Sequence, residues 1–167
     1  MTYKNFFPIA LFSLAITLPV SPVWSQQQAK LKKSIDVFGI PVKAESGVSN
    51  RKLLHVARVL AEYLDNNNNG KVDNPLVVKQ LRKRKGGCVS IYSGDDGYDP
   101  CMWLFEDEIF PQGSRKGRYD ATIEEVLHLI TQTGYAYAYP KQFGERKGTK
   151  IAKAMDKARG GYRGPGQ

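Results

Sequence analysis

Hydrophobic positions in this chain fall into blocks of distinct period. Leu53, Val56, Ala57, Leu60 and Leu64 recur at three- and four-residue spacing in "SNRKLLHVARVLAEYL". That period predicts an amphipathic helix, with Ser49 or Asn50 as its cap. A second helix is expected from "NPLVVKQLRKRK", where Asn74 caps and Pro75 takes the first helical position. The short runs "CVSIY" and "CMWLF" predict two strands, which the polar segment "SGDDGYDP" is expected to join as a hairpin. A third helix is expected within "YDATIEEVLHLITQTGY", with Ile123, Val126, Leu127 and Ile130 on its buried face and Gly134 at its end. Thr122 and Glu125 match a capping box, and Asp120 and Glu124 add the negative charge that a helix N-terminus favours. "YAYAYP" is read as extended or irregular. "GTKIAKAMDKARGG" predicts a fourth helix, capped by Thr149 and stopped at Gly160. Ahead of the first helix, "IDVFGIPVKA" is an extended piece interrupted at Gly39 and Pro41. The order of helix, helix, hairpin, helix, helix implies a small single-domain α+β protein.

The first residues follow another logic. "MTYKNFFPIALFSLAITLPVSPVWSQ" has one cation, Lys4, then an apolar run, with Val23 and Ser25 at the small-residue positions before a cut at Gln26. Residues 1–25 are therefore expected to be a signal peptide, and the apolar run is short and proline-broken for a lasting span. The remainder divides into an extended lead (26–48), a globular domain (49–160) and a flexible basic tail (161–167). No membrane span is expected after cleavage, and the destination is the periplasm or the exterior. Cys88 and Cys101 are the only cysteines. In an oxidising compartment they are expected to form a disulfide, and the segment between them offers no histidine for a zinc site.

Composition excludes little beyond disorder: 41% of residues are hydrophobic and 25% charged, with a formal net charge of +9. Part of that charge lies in Arg82–Lys85 and Arg115–Arg118. Such clusters suit a protein partner or an anionic surface. The first cluster also fits the last turn of a helix, where the dipole favours cations. Basic and aromatic residues do not interleave as in nucleic-acid stacking platforms.

Between the first two helices lies "DNNNNGKVD". Asp65, Asn67 and Asn69 place side-chain oxygens at positions 1, 3 and 5, Gly70 stands at 6, Val72 at 8 and Asp73 at 9. This pattern resembles the calcium loop of EF-hand proteins, flanked as here by two helices. The resemblance implies calcium ligation by Asp65, Asn67, Asn69 and Asp73. Position 12, a bidentate glutamate in EF-hands, is Leu76 in this chain, so the implied affinity is at the weak end, ~10⁻⁴ to 10⁻³ M.

The third helix carries "EEVLH". Residues four apart share a helix face, so Glu124 and His128 can reach one metal, with Glu125 at the neighbouring edge. The line resembles the H-E-x-x-H helix of zincin metallopeptidases. That resemblance implies His128 as a ligand of zinc or another divalent transition metal, Glu124 in place of the first histidine, and Glu125 as the catalytic base. A carboxylate in the first position makes a harder, oxygen-rich site. An edge strand, "MWLFEDEIF", precedes the helix; Asp156 or Glu145 could add a ligand, and Tyr135, Tyr137 or Tyr139 a hydroxyl. His55, the other histidine, would join a mixed His/Glu site if the first and third helices pack together. The expected function is that of a secreted metal-binding domain, zincin-like and readable as a degenerate metal-dependent peptidase or hydrolase. Its alternative is a non-catalytic, EF-hand-like calcium-binding protein acting as an interaction module.

Overall fold

The computed structural model describes residues 31–94, 99–114 and 117–160. The expected signal peptide and basic tail lie outside the described residues, as do Arg115 and Lys116 of the second basic cluster.

The chain is α+β, with a four-stranded sheet in the order β1-β2-β3-β4. β1 (Leu31–Val37) and β2 (Ile40–Glu45) are antiparallel. They are joined by Phe38 and Gly39, both at positive φ, the geometry of a tight two-residue hairpin turn. Arg82 Nε donates to the Phe38 carbonyl at 2.7 Å and ties this turn to the end of a helix. The expected lead is thus extended but not appended. Ile40, Val42, Ala44 and Val48 have no exposed surface and belong to the core, because alternate positions of β2 face the helices.

α1 (Asn50–Leu64) and α2 (Pro75–Lys83) begin where the pattern places them. The Ser49 side chain accepts from the Lys52 N–H, and Asn74 accepts from the Val77 N–H. β3 (Val89–Tyr92) and β4 (Met102–Phe105) follow.

The expected hairpin of these two strands is corrected by the structure. They pair with each other but run parallel, Val89 opposite Met102 and Ile91 opposite Leu104; β3 is also parallel to β2. The Cys88–Cys101 disulfide explains why. Each cysteine immediately precedes its strand, and their Cα atoms are 4.8 Å apart. Two strand starts can lie side by side only if both strands leave in the same direction. In a hairpin, Cys88 would sit at the far end from Cys101. The returning segment is anchored by Asp99, whose carboxylate accepts from the Ser90 hydroxyl at 2.7 Å and from the Cys101 N–H at 3.2 Å. In the chain-entropy picture a bridge of this short span contributes ~3 kcal/mol.

After a 3₁₀ turn (Glu106–Glu108), α3 (Thr122–His128) starts a helix that does not stop at Gly134. It continues as a π-helical segment (Leu129–Tyr135) into α4 (Ala136–Ala138), so "YAYAYP" is largely helical. Gly134 is a contact point: a Cβ there would lie 2.7 Å from Val77 Cγ1, so its absence lets the segment press against α2. α5 (Pro140–Phe143) and α6 (Lys150–Ala158) close the described chain, and Thr149 caps α6 as expected.

The inner sheet face (Val42, Val89, Ile91, Leu104) meets Val56 and Leu60 of α1, Val77 and Leu81 of α2, and Val126 and Leu129 of the long helix in one core. Burying each of these side chains contributes about 1.5–3 kcal/mol before conformational entropy is counted. Among the described residues, no helix is long and apolar enough to cross a membrane.

Candidate functional site

The Asp65–Asp73 loop is held by its own oxygens. Asp65 is 5% exposed. Its carboxylate accepts from the backbone N–H of Asn69 at 3.1 Å and of Gly70 at 2.8 Å. Asn67 Oδ1 accepts from the Asn69 N–H at 3.1 Å, and Asp73 accepts from the Asn66 N–H at 2.9 Å and the Asn67 side-chain amide at 3.3 Å. Asn68 and Gly70 take left-handed φ of 55° and 78°, which winds the loop tightly, and Asn69 Oδ1 accepts from the Lys71 N–H at 2.8 Å. The structure therefore brings all four residues expected to bind calcium into one hydrogen-bonded loop between two helices. Leu76, at the position where a bidentate acid would complete the cage, is half-exposed on the first turn of α2.

The second candidate lies on α3, which packs against α1 and against β4, the last strand in the sheet order. Glu124 Oε1 and His128 Nε2 are 3.6 Å apart on one face, with side chains 55% and 44% exposed. Gln132 contacts His128 Nδ1 at 3.3 Å. Glu125 is the more enclosed carboxylate. Burial raises its pKa above the ordinary range; His128 opposes the rise, and the charges of Glu124 and Glu108 reinforce it. The π-helical turn begins directly after His128, and such widened turns are frequent at functional sites.

The chain matches no family model, no curated protein and no solved structure.

Two details of α3 differ from the sequence reading. Its buried side is Thr122, Val126, Leu129 and Ile130, while Ile123 and Leu127 are 49% and 44% exposed. The face is rotated because the helix start is fixed by Asp120. There is no capping box: Thr122 is the first helical residue, and its N–H is held by Asp120 Oδ1 at 3.2 Å. Asp120, 1% exposed, also accepts from the Phe110 N–H at 3.2 Å and meets His55 Nε2 at 2.8 Å. Burial pushes its pKa up, but the hydrogen bonds from Thr122, His55 and Phe110 outweigh that and hold it below the usual value. α1 and α3 do pack together, yet His55 is engaged by Asp120.

Asp156 is half-buried on α6, which packs on α5. Glu145 is exposed beside a cleft of about 1000 Å³ that Gln132 and Tyr137 also line. Among the described residues, no group of three or more His, Cys, Asp or Glu side chains is placed to hold a metal ion. Glu124, His128, His55 and Asp156 therefore supply one close pair rather than a shell.

In the first basic cluster, Arg82 is occupied with Phe38, and the Arg84 guanidinium lies 3.2 Å from the centre of the Tyr137 ring. The Asp120–His55 pair, 65 residues apart in sequence, left no signal beyond an acid near a helix start. Glu108, close enough to act on Glu125, left none.

Proposed function

We propose that this chain is an exported metal-binding domain whose Asp65–Asp73 loop takes calcium. The observation that carries the reading is the loop's internal order: Asp65 is buried with its carboxylate on the Asn69 and Gly70 N–H groups, and the side chains of Asn67 and Asp73 are hydrogen-bonded to each other. Calcium is a hard cation that prefers many oxygen ligands in a flexible cage. Two carboxylates and two amides fit that preference incompletely, which sets the affinity at ~10⁻⁴ to 10⁻³ M, suited to an extracellular module. Export is supported by the disulfide and by the pattern of the first 25 residues. In this reading the ion stiffens the α1–α2 corner of an interaction module, whose partner is a protein or an anionic surface.

A calcium titration followed by thermal melting tests it. With a Kd near 1 mM, 10 mM calcium stabilises by about 1.4 kcal/mol, roughly 5 °C in Tm. Asp73→Asn keeps the side chain's shape on an exposed position and is expected to abolish the shift with little change in the ion-free Tm. A melting curve indifferent to calcium in the unaltered protein would reject the reading.

A second reading rests on a different observation, the enclosed Glu125 beside the Glu124–His128 pair. Here α3 holds zinc or another divalent transition metal in the zincin-like manner. The metal would supply a polarised water, while Glu125, with its raised pKa, accepts and returns the proton. Glu124→Gln and His128→Ala, both on exposed side chains, are expected to remove stoichiometric metal while leaving Tm within about 2 °C. Glu125→Gln keeps the metal and loses any hydrolysis. Protein purified without chelator and found free of transition metal by elemental analysis would remove this reading.

A further inference from the structure

A cleft of about 320 Å³ separates the start of α1 from the segment that leads to α3. Its walls include Ser49, Arg51 and Lys52 on one side and Phe110, Pro111 and Arg118 on the other. Three of these six carry positive charge, and among the described residues no carboxylate lines the cleft. Lys52 is already engaged: its Nζ donates to the Glu106 carbonyl at 2.5 Å and lies 3.8 Å from the Glu106 carboxylate, which also accepts from the Ser49 N–H at 3.0 Å. Arg51 has no ion-pair or hydrogen-bond partner among the described residues. Arg118 rests over the Phe110 ring at 5.7 Å and has no ion-pair or hydrogen-bond partner among the described residues. Two arginines without an acidic partner among the described residues thus line one cleft together with Phe110 and Pro111, and the guanidinium fork matches oxyanions bidentately. The floor is fixed, because Ile109 is fully buried and the Phe110 N–H is bonded to Asp120.

We propose that this cleft binds an oxyanion group, such as sulfate, phosphate or carboxylate, on a ligand about the size of one sugar or amino-acid unit. The size follows from the volume, which is at the small end of the range for ligand pockets. The charge follows from the two open arginines, and the apolar floor from Phe110 and Pro111. The proposal is independent of calcium and of the α3 pair, since neither contributes a residue to the cleft.

Titration of the full chain with sodium sulfate at constant ionic strength, followed by amide shifts in NMR spectra, is the test. The Ser49, Arg51 and Phe110 resonances are expected to move together with saturation in the millimolar range. Arg51→Ala and Arg118→Ala are each expected to weaken binding at least tenfold. The double variant Lys153→Ala/Lys157→Ala, which removes two positive charges from α6 where each cleft variant removes one, is expected to change it less than twofold. A parallel titration with a sulfated monosaccharide assigns the source: tighter binding than inorganic sulfate means a sugar-borne group, and equal binding means recognition of the oxyanion alone. Equal losses in the cleft and α6 variants, or shifts scattered over the whole basic surface, would overturn the proposal.

Discussion

Gly87→Ala is expected to lower the melting temperature by about 12 °C, through a loss of roughly 3 kcal/mol. A Cβ built on Gly87 would lie 1.7 Å from the Leu81 carbonyl oxygen and 2.6 Å from the Leu81 carbonyl carbon. Both are backbone atoms at the end of α2, so no side-chain rotation relieves the overlap. Neither side can withdraw easily. Leu81 is fully buried in the core, and the residue after Gly87 is Cys88, held by its disulfide at the start of β3. The adjacent Gly86 makes a similar approach, its Cβ position being 2.8 Å from the Pro100 carbonyl oxygen. The Gly-Gly pair thus lets the chain turn from α2 into the sheet beneath the returning loop. Gly94→Ala, with open space around the added methyl, is the control and is expected to shift Tm by no more than about 2 °C. Equal melting of the two variants in a thermal scan would refute this account of the corner.

Asp120→Ala is expected to cost about 3–5 kcal/mol, since each buried donor left without an acceptor costs about 1–3 kcal/mol. One carboxylate joins α1 through His55, the preceding loop through the Phe110 N–H, and the start of α3 through the Thr122 N–H. Its removal strands all three donors in a site with almost no solvent access, which is where unmade hydrogen bonds cost most. Asp120→Asn retains an oxygen for the two backbone donors but loses the charge and the second oxygen, which faces His55, so about 1–2 kcal/mol is expected.

The pH dependence separates charge from shape. Because the folded-state pKa of Asp120 is lowered, the unfolded chain takes up a proton first as the medium is acidified. The stabilisation is therefore complete above the unfolded value of about 4 and is lost as pH falls through the folded one. Denaturant melts from pH 6 down to pH 2 should show a steeper acid loss in the unaltered protein than in Asp120→Asn. Parallel curves would mean that Asp120 contributes by shape alone.

These two positions mark the boundary of what could be read in the chain. Gly87 follows a helix end, where glycine is expected for its conformational freedom, but nothing in the order of residues says that the Leu81 carbonyl lies against it. Asp120 reads as an acid near a helix start. Its partner His55 reads as a histidine flanking an apolar stripe. The calcium-like loop was legible because its oxygens, its glycine and its two capped helices lie within one short span. The α3 pair was legible because i,i+4 spacing is a local rule, whereas Glu108, which bears on Glu125, arrives from another segment.

By itself the sequence determined the local elements: α1 and α2 with their Ser49 and Asn74 caps, the disulfide partners, the Thr149 cap and the oxygens of the Asp65–Asp73 loop. Each depends on neighbours within a few residues, where spacing and side-chain chemistry decide. The tertiary structure decided the direction of β4, the inclusion of residues 31–45 in the sheet, the continuation of the third helix through Gly134, and the rotation that leaves Glu124 and His128 facing outward. Each of those depends on what a segment meets far along the chain: a second strand start tied by a disulfide, a sheet that takes two more strands, Val77 pressed on a glycine, and Asp120 fixed by a distant imidazole.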